Sequence, residues 1–598
     1  MLSLFLKFVK YYGKNRKIKL FLFLLISIVA GFLEFIGIGL IYPFLMMLIN
    51  PQMAVQNNIY KSFSRIVCIE DISINLVIIA ILVASMFFLK NILMIFCIYW
   101  QHKFVVNWKI DINKNLMKYY LYVPYRDIMQ VPLSEKTYNI SVLSAQALEV
   151  FVGRFLILTT NLIILFLILS LLFLKFFTIA VFTITFVCVS MLGLNKFFKK
   201  RTSILAPKLL EASIENNNQT MENCSNLKEV RIFSAEKYFL KKFISTQNTL
   251  GEVSFKSAFL SGLPPFIVEM ILVLTLIILA VVITYQSHGD YSKIVASYGL
   301  ILVVLFRIAP ILNKIQTSLN NINATKKVLS KMNELYEQND FSQIENIEGS
   351  KKAEYEGLEY KSSLRVEGLN FEYELNKPII KNASFEIKKG EFIGIIGLSG
   401  AGKTTLADIL MGLLPVNSGK IYLDDEEITS KNGAVFRSII GYVPQEMHIL
   451  NDSFKKNVAW GQTEESIDES RVKESLLSSQ LLEVVEEKGG INAKVNGLSQ
   501  GQMQRLLIAR ALYKRSQIII FDEATSSLDV ETENEIIQML TKLKGNKTII
   551  AIAHRLITLK NCDKLIYLKE GKIVDIGTFA ELSSKYEDFE KLIKLSKF

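Results

Sequence analysis

The 598-residue sequence is poor in the residues from which disulfide frameworks and zinc sites are built. It contains five cysteines and four histidines, and no two cysteines stand in a C-x-x-C spacing. An odd number of irregularly spaced cysteines predicts neither a disulfide framework nor a zinc site. Charged residues are also scarce at 21%, against 51% hydrophobic residues. This balance excludes a mostly disordered chain and argues against an ordinary soluble enzyme.

Acidic residues are scarce in the first half of the chain. Residues 1–330 hold 33 Lys and Arg but 15 Asp and Glu, a balance of +18. Residues 331–598 hold 35 and 41, a balance of −6, which gives the net charge of +12. A basic excess suits nucleic acid, an anionic membrane surface or an anionic ligand, so its position along the chain has to decide.

Six apolar segments in the basic half are long enough to cross a bilayer as helices. They lie near 19–43, 74–100, 150–173, 177–195, 262–285 and 295–319. The loops after the first, third and fifth segments contain only Lys61, Arg65, Lys175 and Lys293 as basic residues. The positive-inside rule therefore predicts that both termini are cytoplasmic. The excess charge is then a topology signal, and we expect no nucleic-acid partner.

The segments 101–149 and 196–261 have helical patterns and few helix breakers. They predict helices that continue from the spans into the cytoplasm, and residues 1–330 then form one all-α six-helix transmembrane domain. Four charged residues stand inside the predicted spans: Glu34, Lys90, Glu269 and Arg307. Such residues face the protein interior or a watery cavity. Two interpretations stay open, namely internal pairing, as of Glu34 or Glu269 with Arg307, and a polar pathway for a charged cargo.

A phosphate-binding motif opens the second half of the chain. Residues 331–362 are polar and acidic and predict a linker, and residues 363–598 alternate strand-like and helix-like segments. A short apolar strand at 392–396 runs into a P-loop pattern and then a helical run. Lys403 is predicted to reach the β- and γ-phosphates of a nucleotide, and Thr404 to bind Mg²⁺. The loop residues predicted to hold the nucleotide are Gly397, Ser399, Gly400, Ala401, Gly402, Lys403, Thr404 and Thr405.

A second apolar strand, at 518–522, ends in adjacent carboxylates. Asp522 is predicted to lie beside the P-loop and to hold Mg²⁺, and Glu523 to polarise the attacking water as general base. Together with the P-loop, these residues predict an α/β P-loop domain of the RecA-like type that binds and hydrolyses ATP.

From this point the sequence resembles the ATP-binding cassette (ABC) exporters. The resembling stretches are Gly441-Tyr-Val-Pro-Gln445, Leu498-Ser-Gln-Gly-Gln502, Ser526-Ser-Leu-Asp529 and Ala551-Ile-Ala-His554. The resemblance implies that Gln445 meets Mg²⁺ and the attacking water, and that His554 contacts the γ-phosphate. It also implies that Tyr373 stacks on adenine, that Ser499, Gly501 and Gln502 open a helix facing a second subunit's nucleotide, and that Asp529 belongs to the same interface. The cofactors implied are ATP and Mg²⁺.

Two features depart from the family pattern. Gln500 stands where the signature usually has glycine, and residues 491–497 are shorter than the usual segment before the signature. The second departure puts in doubt how this segment couples the ATPase to the membrane domain. The residues needed for the nucleotide chemistry are all present. The resemblance also implies two short coupling helices, which we expect near 141–148 and 213–220.

The chain has one membrane half and one ATPase half, and the resemblance implies a dimer because each ATP in this family lies between one subunit's P-loop and the other's signature. A homodimer is the simplest form, and a heterodimer is the alternative. Within the exporters, stretches in the first, fifth and sixth spans are similar to the bacterial lipid-linked oligosaccharide flippases. The resembling segments are 32–44, 264–269 and 305–314. This similarity implies an anionic, lipid-linked cargo, contact with membrane lipid, and a multi-pass location in the bacterial cytoplasmic membrane. The alternatives are a multidrug, lipid or peptide exporter and, in another class, a non-pumping channel or sensor.

Overall fold

The computed structural model of the chain describes most of the sequence, with gaps between the described ranges. Those ranges are 2–13, 16–49, 72–129, 131–175, 177–286, 291–338, 359–374, 376–429, 432–522, 530–552 and 556–589. Contacts divide the chain into two compact units. The first unit comprises Met1–Val123 and Gln130–Gly349, and the second comprises Pro124–Met129 and Ser350–Phe598.

The described part of the first unit is helical throughout. The helices up to residue 338 are numbered in chain order, and all except α4 belong to the first unit. They are α1 Leu2–Tyr12, α2 Lys17–Ile49, α3 Ile72–Tyr122, α4 Tyr125–Met129, α5 Leu133–Tyr138, α6 Gly153–Lys175, α7 Phe177–Ser225, α8 Leu227–Ile232, α9 Glu236–Gly262, α10 Pro264–Gln286 and α11 Tyr291–Gln338. Between α5 and α6 the chain stays helical through two π-helical stretches, Asn139–Leu143 and Gln146–Val152.

All six predicted spans lie on these helices. By length and composition, five helical stretches of the described residues can cross a membrane: Lys17–Ile41, Ile74–Tyr122, Leu133–Phe173, Glu236–Ile278 and Leu302–Glu337. They contain the second and third predicted spans in full and cover most of the first, fifth and sixth. The fourth, 177–195, lies on α7, where most side chains are outside the described set, so it stays a prediction.

The helices extend well beyond the apolar segments, as the sequence predicts. Helix α3 runs 51 residues and α7 runs 49, because neither contains a break at the end of its apolar part. Stretches 141–148 and 213–220, expected as short coupling helices, form no separate helices. Instead 141–148 lies in the continuous helical stretch between α5 and α6, and 213–220 lies inside α7. Helix α11 continues to Gln338, into the predicted linker, whose residues 339–358 lie outside the described ranges.

Aromatic side chains form the core of the first unit where α1 packs on α3 and α11. Phe8 and Trp108 are buried, with ring centroids 5.4 Å apart, and Met332 of α11 is also buried. The Trp108 indole N–H donates to the carbonyl of Tyr12 at 2.9 Å. This bond satisfies the one polar atom of a large buried ring and anchors the C-terminal end of α1.

The second unit is an α/β domain with two sheets. Its strands are β1 Ser363–Glu372, β2 Pro378–Lys388, β3 Phe392–Ile396, β4 Ser418–Leu423, β5 Glu426–Glu427, β6 Ile440–Val443, β7 Ile518–Asp522, β8 Thr548–Ile552, β9 Lys564–Lys569 and β10 Lys572–Gly577. Its further helices are α12 Lys403–Leu410, α13 Gly433–Ser438, α14 Phe454–Val458, α15 Glu469–Ser478, α16 Leu482–Glu487, α17 Gln500–Tyr513, α18 Val530–Leu543, α19 Leu556–Lys560 and α20 Phe579–Lys585.

The larger sheet has the order β10-β9-β3-β8-β7-β6, and the smaller has the order β2-β1-β4-β5. Strands β9, β3, β8, β7 and β6 are parallel, and the residues of β3, β7 and β8 are all buried. Their continuous apolar runs suit strands that are covered on both faces. The carboxyl ends of parallel strands meet at one edge, which is where open α/β sheets bind ligands.

Candidate functional site

The loop after β3 has the backbone shape of a phosphate cradle. Gly400 and Gly402 have left-handed φ values of +79° and +99°, and Gly402 directly precedes α12. Only glycine adopts such angles without strain, and this accounts for glycine at both positions. A Cβ on Gly397 would overlap the backbone carbonyl of Leu568, whereas one on Gly400 would meet nothing within 4 Å. The loop is thus tightly seated on β9 and open on its outer side.

Lys403 fills the centre of this loop. Its side chain is buried, and Nζ donates to the carbonyl of Gly397 at 2.9 Å and of Leu398 at 3.2 Å. The ammonium group thereby holds the loop in its curved shape and lies where phosphate oxygens are expected. Thr404, next in α12, is exposed, so its hydroxyl is available to a ligand.

Strand register brings Asp522 to the same edge as the P-loop. Ile552 at the end of β8 pairs with Ile395 of β3 on one side and with Asp522 of β7 on the other. Asp522 is buried, and its carboxylate accepts a hydrogen bond of 3.3 Å from the Tyr442 hydroxyl. Burial and the nearby charge of Asp522 raise the pKa of Tyr442.

A second carboxylate lies near this edge. Asp408 of α12 is buried, and desolvation, with a smaller contribution from the charge of Asp522, raises its pKa to about 6. The charge of Asp522 disfavours ionisation of Asp408, and a cation beside the two carboxyl groups relieves their repulsion. The edge thus favours a positively charged ligand beside Asp522.

Gln445 and Tyr373 flank the site. Gln445 follows β6, whose Val443 pairs with Phe521 of β7, and it is exposed. Tyr373 follows β1, and its hydroxyl lies 3.4 Å from Oγ1 of Thr405 in α12. An aromatic ring beside the P-loop helix is placed to stack on a base.

The segment Pro124–Met129 contributes a residue that the sequence did not reveal. Arg126 of α4 donates to the backbone carbonyls of Glu372 at 3.2 Å and Tyr373 at 3.0 Å. Its guanidinium carbon also lies 5.9 Å from the ring centroid of Phe371. Arg126 therefore holds the backbone that carries Tyr373. No motif marks Arg126, because its partners Glu372 and Tyr373 are separated from it by 246 and 247 positions in the sequence.

The signature stretch begins helix α17 with a complete capping box. The Ser499 hydroxyl accepts from the Gln502 backbone N–H, and the Gln502 side chain accepts from the Ser499 N–H. Gln500 is the first helical residue and is exposed, so its side chain disturbs neither bond. A Cβ on Gly501 would overlap Thr532 of α18, which explains glycine at that position.

The shortened stretch before the signature is tied to α14. Phe454 N–H donates to the carbonyl of Ala493, and Lys455 N–H to that of Ile491. Phe454 is fully buried, so these bonds fix the stretch against a packed helix. Three predicted site residues, Glu523, Asp529 and His554, lie outside the described residues, and their roles stay predictions.

Three of the four charged residues predicted inside the spans lie together. Lys90 Nζ is 3.2 Å from Glu34 Oε1, and Arg307 Nη1 is 3.9 Å from the same oxygen. The Arg307 guanidinium carbon is also 4.7 Å from the ring centroid of Phe87. Glu269 is exposed on α10 and makes no ion pair with another described residue. Of the pairings left open by the sequence, the structure contains Glu34 with Arg307.

Comparisons with known proteins bear on both units. Residues 380–526 match the sequence profile of the family described as "ABC transporter". They are an ABC transporter domain. The match includes the P-loop, Asp522 and the signature, and it confirms the predicted ATP-binding cassette.

The fold of the chain, with its helical part and its ABC transporter domain, resembles that of a solved exporter. A solved structure titled "Structure of a bacterial Atm1-family ABC exporter with ATP bound" superposes with a TM-score of 0.76, covering 98% of each chain at 18% identity. At this identity the likeness shows the fold, and it confirms the predicted fold class of apolar transmembrane helices followed by an α/β nucleotide-binding domain.

Curated relatives match part of the chain. An ATP-dependent lipid A-core flippase from Cupriavidus pinatubonensis is 31% identical over 373 residues, which are 60% of this chain and 61% of that protein. A mitochondrial iron-sulfur clusters transporter ATM1 from Debaryomyces hansenii is 35% identical over 265 residues, 43% of this chain and 38% of that protein. The matches thus span about three-fifths of the flippase and less of the transporter.

The residues of the ABC transporter domain fit ATP and Mg²⁺. The P-loop is curved, open at Gly400 and centred on an ammonium group. In the described part of the chain, no group of three His, Cys, Asp or Glu residues forms a metal cage. Mg²⁺ needs none, because it commonly takes one or two protein oxygens together with water and substrate phosphates. Thr404 and Asp522 offer such oxygens.

Proposed function

We propose that the chain is one half of an ATP-driven ABC exporter that works as a dimer and moves an anionic, lipid-linked glycan across a bacterial cytoplasmic membrane. The observation that carries the cargo proposal is the cluster of two cations on one carboxylate among the apolar helices, in which one of the cations is accessible. The exporter fold and the ABC transporter domain support the ATP-driven part.

The cluster has one positive charge in excess. Glu34 and Lys90 have side chains that are 6% and 8% exposed, and they neutralise each other at 3.2 Å. Arg307 lies farther from the carboxylate, at 3.9 Å, and its side chain is 36% exposed. Arg307 therefore carries the unneutralised charge on the more accessible side of the cluster.

An accessible cation among membrane helices calls for an anionic partner, because an isolated charge is costly at that depth. A guanidinium group binds phosphate oxygens in a two-pronged geometry, which suits a pyrophosphate between a polyprenyl tail and a glycan. The relatives named as flippases support a lipidic cargo, and Arg307 then recognises its phosphate. Lys90 and Glu34 position this site, and Glu269 stays a candidate for the same pathway.

The nucleotide chemistry follows from the cassette residues. Lys403 and the P-loop amides bind the phosphates, and Tyr373 stacks on adenine. Thr404, Gln445 and Asp522 would hold Mg²⁺, which supplies positive charge to the β- and γ-phosphates. Glu523 accepts a proton from the attacking water as general base. Ser499, Gly501 and Gln502 cap the γ-phosphate bound to the other subunit, which makes a dimer necessary, and a homodimer is its simplest form.

The experiment that tests the cargo uses the full chain in liposomes with a polyprenyl-pyrophosphate glycan. We expect this glycolipid to stimulate ATP hydrolysis and to be flipped. Arg307→Leu should abolish the stimulation and leave basal hydrolysis intact, whereas Arg307→Lys should keep part of it because the charge remains. Stimulation that persists in Arg307→Leu would contradict the assignment.

A parallel measurement tests the ATPase half. Glu523→Gln should bind ATP, trap a closed dimer and hydrolyse little, because the general base is lost while the binding groups remain. Turnover like that of the unaltered chain would remove Glu523 as the base. The names of the flippase relatives favour one second candidate cargo, a lipid A-core molecule. It would replace the first if it alone stimulated hydrolysis.

A further inference from the structure

A shallow groove on helix α7 lies outside both the nucleotide site and the intramembrane charge cluster. Its volume is about 470 Å³, which is within the range of about 300–1,000 Å³ common for small-molecule sites. The groove is lined by Gly193, Lys196, Phe197, Lys200, Arg201 and Ile204. Gly193 leaves it open, because a Cβ there would meet nothing within 4 Å.

The groove faces away from the packed interior of the first unit. Phe198 and Thr202, one helical turn apart, are 0% and 4% exposed and form the inner side of α7. Phe197 and Ile204 are 46% and 54% exposed and lie on the outer side. An outer surface that combines cations with large apolar side chains is amphipathic, and it suits a ligand with the same two characters.

The cations of the groove are unneutralised within the described part of the chain. Lys196, Lys200 and Arg201 form no ion pair with a described carboxylate. Cations elsewhere on this unit do, as Lys256 does with Glu252 at 3.1 Å. The guanidinium carbon of Arg201 lies 4.4 Å from the ring centroid of Phe197, so the aromatic ring orients one cation.

The position of the groove along the chain matches a membrane boundary. Residues 177–194 contain no charged side chain, and the cations start at Lys196 on the same helix. Basic residues that directly follow an apolar helical segment lie at headgroup level and attract anionic lipids. Their aliphatic stems pack along apolar surface while the charges reach the phosphates.

We infer that this groove binds the phosphate headgroup of an anionic phospholipid of the cytoplasmic leaflet. Lys196, Lys200 and Arg201 contact the phosphate, and Phe197 and Ile204 contact the glycerol and the upper acyl chains. The site goes beyond the proposed transport function, because it needs neither ATP nor passage of a cargo.

The test uses the full chain in nanodiscs of phosphatidylcholine with a fraction of phosphatidylglycerol, and native mass spectrometry counts the retained phosphatidylglycerol without nucleotide. The variant Lys196→Gln/Lys200→Gln/Arg201→Gln should bind it about a hundredfold more weakly, since each cation near the surface is worth about fivefold. The matched control, Lys237→Gln/Lys241→Gln on α9, removes exposed cations far along the chain from the apolar segments and should retain the lipid.

A charge-preserving variant covers the case in which the triple change prevents folding. Lys196→Arg/Lys200→Arg/Arg201→Lys should retain phosphatidylglycerol, and added salt should reduce retention in the unaltered chain. Equal retention in the triple variant and the unaltered chain would overturn the inference, and so would an equal loss in the control. Loss of the dimer with unchanged retention would instead assign the groove to an interface between copies. Because no transport is measured, failure of the proposed cargo leaves this result standing.

Discussion

Replacing Glu34 by Gln tests whether the intramembrane cluster is held together by its single carboxylate. Glu34 is the shared partner of Lys90 at 3.2 Å and of Arg307 at 3.9 Å. Without it, Lys90 stays buried, with a side chain only 8% exposed and no opposite charge from another described residue beside it. Removing one member of a buried pair costs about 3–5 kcal/mol of unfolding free energy, since the remaining charge is uncompensated.

The size of the effect on melting follows from the size of the helical unit. Unfolding entropy of about 2.1 cal/mol/K per residue, over roughly 300 residues, converts this loss into a melting temperature lower by about 5–8 °C. Thermal unfolding of the full chain in detergent, followed by far-UV circular dichroism, measures the shift.

A double variant separates the loss of the pair from general damage. Glu34→Gln/Lys90→Met removes both buried charges at similar volume and should recover most of the lost stability, to within about 1–2 kcal/mol. Arg307→Leu should change the melting temperature little, because the ion pair between Glu34 and Lys90 remains. If Glu34→Gln melts like the unaltered chain, or if the double variant is less stable than the single one, the electrostatic account is wrong.

Three further predictions concern the second unit. Gly501→Ala should lower the unfolding free energy by about 1–3 kcal/mol because its Cβ overlaps Thr532; adding Thr532→Ser should restore part of it in thermal unfolding, and no recovery would speak against this contact. Asp408 has a folded pKa raised to about 6, so its contribution to stability falls as pH rises from about 4 to about 6. Asp408→Asn should therefore flatten that pH dependence and raise the melting temperature at pH 7 without nucleotide or Mg²⁺, whereas parallel pH profiles would contradict it. Arg126→Gln should raise the KM for ATP about tenfold in a hydrolysis assay, because the carbonyls beside Tyr373 lose a charged donor; an unchanged KM would remove Arg126 from the site.

The parts of the fold that were predicted correctly depend mostly on local sequence patterns. The apolar segments lie on helices, and the P-loop follows a buried strand, because burial and backbone angles at these places depend on adjacent residues. No separate helix forms at 141–148 or 213–220, where the short coupling helices were expected. Where a helix breaks there depends on packing against distant chain segments, which periodicity does not contain.

The candidate site shows the same division. Motif spacing was sufficient to name Lys403, Asp522 and Ser499, since each follows a strand or begins a helix in a recognisable order. Arg126 was missed, because hydrogen bonds across more than two hundred residues leave no local signal.

The sequence by itself determined the two-part architecture, the apolar spans and the candidate residues for phosphate binding, since these depend on composition and short-range pattern. Only the tertiary structure decided which charges meet. Glu34 pairs with Lys90 across 56 positions and with Arg307 from a third helix, while Glu269 stays apart among the described residues. Pairing between distant helices is set by how they pack, and the same packing leaves the groove cations of α7 on an outer surface.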